Sequence, residues 1–185
     1  MFHVLLLYTT CAIGEVVNAR DSYLTNNQLS VYSLAENVSV EEFWLGISSD
    51  TIHKERNSSP VGFTNDYIWM VFEIEGLDEG EFLLELENPH IDQFTLYSYC
   101  NDVFKLEATG GVHAHFYTRP IVNKDFVLTL PAYKSAIFLL KIDKRHSYVS
   151  VPLKIWEQSA FYLQDSREKI YHTIIFTVIL IIVLS

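Results

Sequence analysis

Apolar residues recur at every second position through most of this chain, the period of a strand with one buried face. In Ile68–Ile74 the apolar set is Ile68, Met70, Phe72 and Ile74, and Glu73 and Glu75 fall on the other side. Gly76–Gly80 (GLDEG) reads as a turn. Beyond it Phe82, Leu84 and Leu86 alternate with Glu81, Glu85 and Glu87, with Leu83 interrupting the polar set. Asn88-Pro89 punctuates the chain, and Ile91–Cys100 predicts a further strand. The alternation returns at Phe126, Leu128 and Leu130 before Pro131. It returns again in Ala136–Ile142, where Phe138, Leu140 and Ile142 share a face, and in Val149–Ile155 after the polar turn Asp143–Ser147. Leu29–Leu34 is a candidate first strand. Ser39–Gly46 (SVEEFWLG) predicts a short helix, because Ser39 can cap it while Glu42, three residues on, reaches back.

Strands recurring every roughly ten to fifteen residues, joined by Gly, Pro, Asn and Asp, predict an all-β, antiparallel sandwich of about eight strands. No repeat, low-complexity tract or linker divides it, so one domain is expected, with a core built from Phe72, Leu84, Phe94, Leu128, Phe138 and Leu140.

The two ends depart from this period. Residues 1–19 read as a signal peptide: the apolar run Val4–Tyr8 is followed by small residues and by Val17-Asn18-Ala19, the small-x-small shape accepted before cleavage. At the other end, Ile170–Leu184 (IYHTIIFTVILIIVL) carries no charge after Lys169. Fifteen such residues fall short of the ~20 that cross a bilayer, but the run is unbroken where the sequence stops. Residues 170–185 are therefore expected to be a truncated first transmembrane helix of a longer product, with 159–169 as connector and 20–158 as the domain.

Composition sharpens this reading. The 185 residues suffice for one domain with a true core. The hydrophobic content of 49% is concentrated at the two ends. The net charge is −10, and all 13 Lys and Arg lie between residues 20 and 169 with all but one of the 23 acids. An acidic domain repels phosphate backbones, so nucleic acid is excluded as a partner. Once a signal is removed Cys100 is the only cysteine, which leaves no intrachain disulfide.

The order of several motifs resembles a known family. Gly62-Phe63 and Tyr67-Ile68-Trp69 precede an alternating strand, followed by ENPHIDQFTLY, Thr109-Gly110, Thr118-Arg119-Pro120, FVLTLP, and VPLKIWEQSAFY leading into an apolar run. From about residue 30 to 185 this is similar to the extracellular sensor domain of bacterial seven-transmembrane receptors with diverse intracellular signalling modules. The resemblance implies a jelly-roll sandwich like those of carbohydrate-binding modules, outside the inner membrane. Seven helices and a cytoplasmic kinase, cyclase or other output module would follow. Met70 and Val71 stand where the family usually carries a basic residue, and Gly111 stands where it carries an acidic one.

Candidate chemistry is sparse. His113 and His115, two apart on an expected strand, would face one side, yet no further Cys or His at matching spacing completes a zinc site. They are read as a polar strand edge, with no metal or other cofactor expected. No nucleophile elbow, phosphate-cradling loop or metalloprotease motif occurs. Glu73, Glu75, Glu81, Glu85 and Glu87 alternate with core positions and are read as solvated strand faces, so no enzyme is expected. Asn37-Val-Ser39 and Asn57-Ser-Ser59 match the glycosylation pattern by chance.

The aromatic residues say more. Sugars are held by stacking on rings beside a few planar hydrogen-bonding groups. Tyr97 and Tyr99 share a strand face opposite Leu96, and Arg119 supplies a fork of donors; these three are the ligand-binding candidates. Trp44, Trp69 and Trp156 are read as core. The expected function is ligand sensing outside the cytoplasm by a membrane receptor, with a small molecule or carbohydrate as ligand and the membrane engaged from near Ile170. A membrane-anchored adhesive or structural module is the rival reading, and a homodimer stays open.

Overall fold

The structure, a computed structural model, describes residues 17–18, 24, 28–55, 62–115, 119–144 and 147–184. Most of the expected signal segment lies outside these. Eleven strands, two α-helices and one 3-10 turn (Leu77–Glu79) occur among the described residues. The strands are β1 (Val17–Asn18), β2 (Ser30–Leu34), β3 (Gly62–Thr64), β4 (Tyr67–Glu75), β5 (Phe82–Leu86), β6 (Gln93–Cys100), β7 (Val103–Gly110), β8 (Phe126–Thr129), β9 (Ser135–Asp143), β10 (Ser147–Val149) and β11 (Leu153–Glu157). The helices are α1 (Val40–Ser48) and α2 (Gln158–Leu184).

A six-stranded sheet runs β1-β4-β9-β6-β7, with β2 also paired to β4. A three-stranded sheet runs β11-β5-β8, and β10 pairs with β3 in a separate ribbon. Every pairing is antiparallel except the two-residue contact of β1 with β4. The count exceeds the expected eight because a two- or three-residue strand is too short to display a period. Val103–Gly110 escaped for another reason: β7 pairs only with β6, and its exposed Val103, Lys105 and Leu106 break the alternation. The β6–β7 hairpin turns on Asn101 and Asp102, both at positive φ (52° and 61°), as a two-residue loop requires.

The two larger sheets bury one core between them. Ile68, Met70, Phe72 and Ile74 of β4 meet Phe82, Leu84 and Leu86 of β5, together with Phe94, Leu128, Phe138 and Leu140. All six residues expected in the core lie there, and Phe72 stacks on its cross-strand partner Phe138 at 5.7 Å. Gly111 closes the far end of β7 so tightly that a Cβ would sit 2.0 Å from the Asp92 carbonyl oxygen, and its φ of 153° is one that side chains rarely adopt.

Both outer faces carry a helix. The expected Ser39–Gly46 helix is α1. Glu42 N–H donates to Ser39 Oγ (3.2 Å) and Ser39 N–H donates to Glu42 Oε2 (2.9 Å), the reciprocal capping box. Its Val40, Phe43 and Ile47 cover the outward side of β2, β4 and β9, namely Tyr32, Trp69, Val71 and Leu139. Trp69 is thus buried, as expected, but beneath α1 rather than between the sheets.

The smaller sheet is covered by the first turns of α2. Phe161 packs on Leu83 and Val127, which explains why Leu83 interrupts the polar alternation of its strand. The same cover corrects the reading of Glu85 as solvated: it is only 7% exposed and accepts a hydrogen bond from Trp156 Nε1 at 2.6 Å. Beyond Phe161 the side chains of α2 are exposed or nearly so. Arg167, Glu168 and Lys169 place charges within the unbroken α2, and no helix among the described residues is long and apolar enough to cross a membrane.

Candidate functional site

Strand register assembles the candidate site on the outer face of the six-stranded sheet. Lys141 of β9 lies between Trp69 of β4 and Thr95 of β6, and one pairing along, Asp143 lies beside Gln93. In the other direction Leu139 separates Val71 from Tyr97. Because side chains alternate, these outward residues share one surface. The segment entering α1 crosses beside it and adds Asn37. The result is an open cavity of about 150 Å³ lined by Asn37, Tyr67, Gln93, Thr95, Tyr97, Lys141 and Asp143.

Lys141 organises this cavity. Its ammonium donates to the Val38 carbonyl (2.8 Å) and to Asn37 Oδ1, and lies 5.3 Å and 5.1 Å from the ring centres of Tyr67 and Trp69. Burial holds the ammonium below the usual lysine range, and Asp143 opposes that shift. Tyr97 forms an aromatic wall, nearly parallel to Trp69 (20°) with centres 6.4 Å apart. Two tyrosine rings, two amides, hydroxyls and a charge of each sign meet in a small volume. That donor set can grip a molecule rich in hydroxyl groups, whose apolar face stacks while its edge hydrogen-bonds.

The other two candidates lie elsewhere. Tyr99, on the same face as Tyr97, is packed between Trp44 (4.8 Å) and Phe104 (4.7 Å), and its hydroxyl donates to Asp102 (2.9 Å). Burial and Asp102 raise the pKa of that phenol. Arg119 stands at the mouth between β7 and β8, with its guanidinium 4.1 Å above the Phe126 ring and Nη1 donating to the carbonyls of Asn123 (3.0 Å) and Lys124 (3.3 Å). It lines a more apolar cavity of about 200 Å³ with Phe94, Gly110 and Phe126, which shares no residue with the Tyr97 cavity. The structure therefore does not bring the three candidates together.

Val112–Ala114 is a turn and a bend rather than a strand, so His113 and His115 are exposed beside it without a common strand face. Among the described residues no three His, Cys, Asp or Glu groups are placed to hold a metal ion. Sequence reasoning missed Lys141, Asp143 and Gln93. A signal existed for Lys141, the one charge inside the apolar run Ala136–Ile142, which a strand with both faces covered would reject unless the charge had partners.

A larger groove lies on the opposite side of the sandwich, between the outer face of β11-β5-β8 and the start of α2. It holds about 630 Å³ and is lined by Glu85, Glu87, Asp125, Lys154 and Trp156 from the sandwich side and by Phe161, Asp165 and Glu168 from the helix. The helix is pinned above it by Asn123 Nδ2 donating to Asp165 Oδ1 (3.2 Å) and by Gln158 N–H donating to the Glu81 carbonyl (2.9 Å).

Residues 26–157 match the family model described as 7TMR-DISM extracellular 2. No curated protein is similar enough to the chain to match it.

Proposed function

The chain belongs to the 7TMR-DISM extracellular 2 family, and from that premise we propose that it is the extracytoplasmic ligand-sensing domain of a membrane signalling receptor. Its proposed ligand is a small polyhydroxylated molecule such as a carbohydrate, seated at the Tyr97 cavity. The observation that carries this reading is the meeting of the Tyr97 ring with Gln93, Thr95, Lys141 and Asp143 in one open cavity. Tyr97 is the stacking ring, Tyr99 braces the aromatic patch behind it, and Arg119 is a donor toward the separate cavity between β7 and β8. The sandwich is read as the jelly roll that the resemblance implies.

The proposal extends to α2. Its apolar half, Ile170–Leu184, is exposed along its length, and an apolar cylinder of this kind calls for lipid or partner helices. At 1.5 Å per residue it reaches about 22 Å into a hydrocarbon layer of ~30 Å. Because Phe161 fixes the start of the helix on the sandwich, a ligand that binds two domain states unequally shifts the helix by that difference in affinity.

The test is a glycan array probed with the full chain in detergent micelles, followed by titration of the strongest hit. Tyr97→Ala is expected to weaken binding by roughly 1–2 kcal/mol through lost ring contact, with an unchanged circular dichroism spectrum. An array without signal, or a variant that binds as the parent does, overturns the assignment of the cavity.

A further inference from the structure

We propose that the β3–β10 ribbon is a lipid-contacting element, whose Phe63 and Tyr148 rings enter the headgroup layer of the membrane that receives α2. The inference rests on the reading that the apolar half of α2 lies in lipid. Phe63 and Tyr148 stand directly opposite each other in the ribbon, edge to face (74°) with ring centres 5.8 Å apart. They are 83% and 48% exposed, and among the described residues they are the exposed aromatic side chains of the sandwich. A ring displayed to water gives up the burial that stabilises a fold, so this pair contributes little to the sandwich itself.

Topology places the ribbon at the end of the sandwich toward which α2 runs. Asn65 and Asp66 alone separate β3 from β4, and β10 follows shortly after the end of β9 at Asp143. There the start of β4 lies beside the end of β9, and the end of β9 beside the start of β6. Phe94 at the start of β6 meets Phe126 at the start of β8 (5.1 Å), which carries the same end across to the smaller sheet. α2 starts at the far end, where Gln158 is tied to Glu81 before β5. It then packs Phe161 on Leu83 and brings Glu168 to Lys124, just ahead of β8. From Glu81 to Glu87 an extended chain spans about 20 Å, which a helix covers in about 13 residues. α2 therefore passes the edge of the sandwich near Tyr171, at the start of its apolar half, and that ring is 65% exposed.

Aromatic rings favour the headgroup layer, where the ring is shielded from water and a phenol tip stays wet. Phe63, Tyr148 and Tyr171 thus share the level at which the domain meets the bilayer. Charge at the two ends agrees with this orientation. The turns of the far end carry Asp78, Glu79, Glu81 and Asp102 against Lys134, a surface that anionic headgroups repel. The ribbon end carries both signs, Asp66 and Asp143 with Lys124 and Lys144, so contact there is made by rings rather than by net charge. Because α2 packs on the smaller sheet while the ribbon leads off β4 and β9 of the larger one, the two contacts hold the sandwich through both sheets.

Fluorescence of the full chain in vesicles of phosphatidylcholine, brominated near the carbonyl end of its acyl chains, tests the proposal. Emission of Phe63→Trp and Tyr148→Trp is expected to fall roughly twofold or more against unbrominated lipid, equally at low and high salt. Two ribbon positions are used so that one carries the test if the other variant does not fold, as judged by circular dichroism. Asp78→Trp, at the far end, is expected to be quenched no more than the parent chain with its Trp44, Trp69 and Trp156. Phe176→Trp reports on α2 by itself. Quenching of Phe176→Trp with none at positions 63 and 148 overturns the ribbon contact and leaves the reading of α2 standing. No quenching at any of the three overturns both. Three further results also overturn the contact: Asp78→Trp quenched as strongly as Phe63→Trp, quenching at position 63 lost in high salt, or emission there that changes with the ratio of protein to lipid, which marks pairing of ribbons between two copies.

Discussion

The two outer faces of the sandwich are both covered by a helix, and the covers differ in kind. Beneath α1 the contact is apolar: Phe43 stacks on Trp69 (4.3 Å, 9°), meets Tyr32 edge-on (5.3 Å), and all three rings are fully buried. Burial there pushes the Tyr32 phenol up to about 12. Beneath α2 the apolar contact centres on Phe161, and the rest of the seam is the charged groove of Glu85, Asp125, Asp165 and Glu168. The hydrophobic effect scales with apolar area, so α1 is part of the folded core while α2 is held by one ring and a few polar ties. A helix held that weakly can change its position without unfolding the domain, as the proposed sensing role would require.

The largest expected effect comes from breaking the first cover. Phe43→Ala removes a fully buried ring from between Tyr32 and Trp69 and is expected to cost about 3–4 kcal/mol in urea denaturation of the full chain in micelles. A loss under ~1 kcal/mol would erase the contrast between the two faces. Phe161→Ala is expected to cost less, about 2 kcal/mol, because the groove beside it admits water and α2 can lift away. Its distinctive signature is fast hydrogen exchange confined to residues 158–169 while β4 and β9 keep their protection. Uniformly faster exchange would show that α2 is integral to the core.

The smallest effect concerns pH and sharpens the electrostatic side of the comparison. Burial raises the carboxyls of Glu85 and Asp125 above their ordinary values; for Glu85 the Trp156 hydrogen bond and Lys154 oppose that shift while Glu87 and Asp125 add to it. A carboxyl raised in the folded state destabilises it while ionised. That penalty is complete above the folded pKa and is relieved as pH falls toward the unfolded value. Between neutral pH and the ordinary carboxylate range, the parent chain is thus expected to gain a degree or two in melting temperature relative to Glu85→Gln, which cannot titrate there. Parallel curves for the two chains would mean that the groove leaves Glu85 as solvated as its sequence position suggests.

That last contrast marks where the sequence was legible and where it was not. The alternation of Ile68–Ile74 and Phe82–Leu86 assigned the core faces correctly, because a strand's faces follow from its own period. Ser39 and Glu42 announced α1 because a capping box is made by residues three apart. Glu85 was misread because its burial depends on Trp156, 71 positions away, and on α2 lying across it. Tyr97 was placed on the right face of its strand. Lys141 and Asn37, which help to form the cavity beside Tyr97, are 104 positions apart, and no local pattern joins them.

The sequence by itself determined the longer alternating strands, which side of each faces the core, the start of α1, the acidic charge and the apolar stretch that ends α2. All of these are set by near neighbours or by composition. The tertiary structure alone decided that each outer face lies under a helix, that one cover is sealed and the other grooved, and that Tyr97 and Arg119 serve separate cavities. Those outcomes depend on which distant segments share a surface, and burial, partnership and the free energy of a charge are properties of that shared surface rather than of the residue.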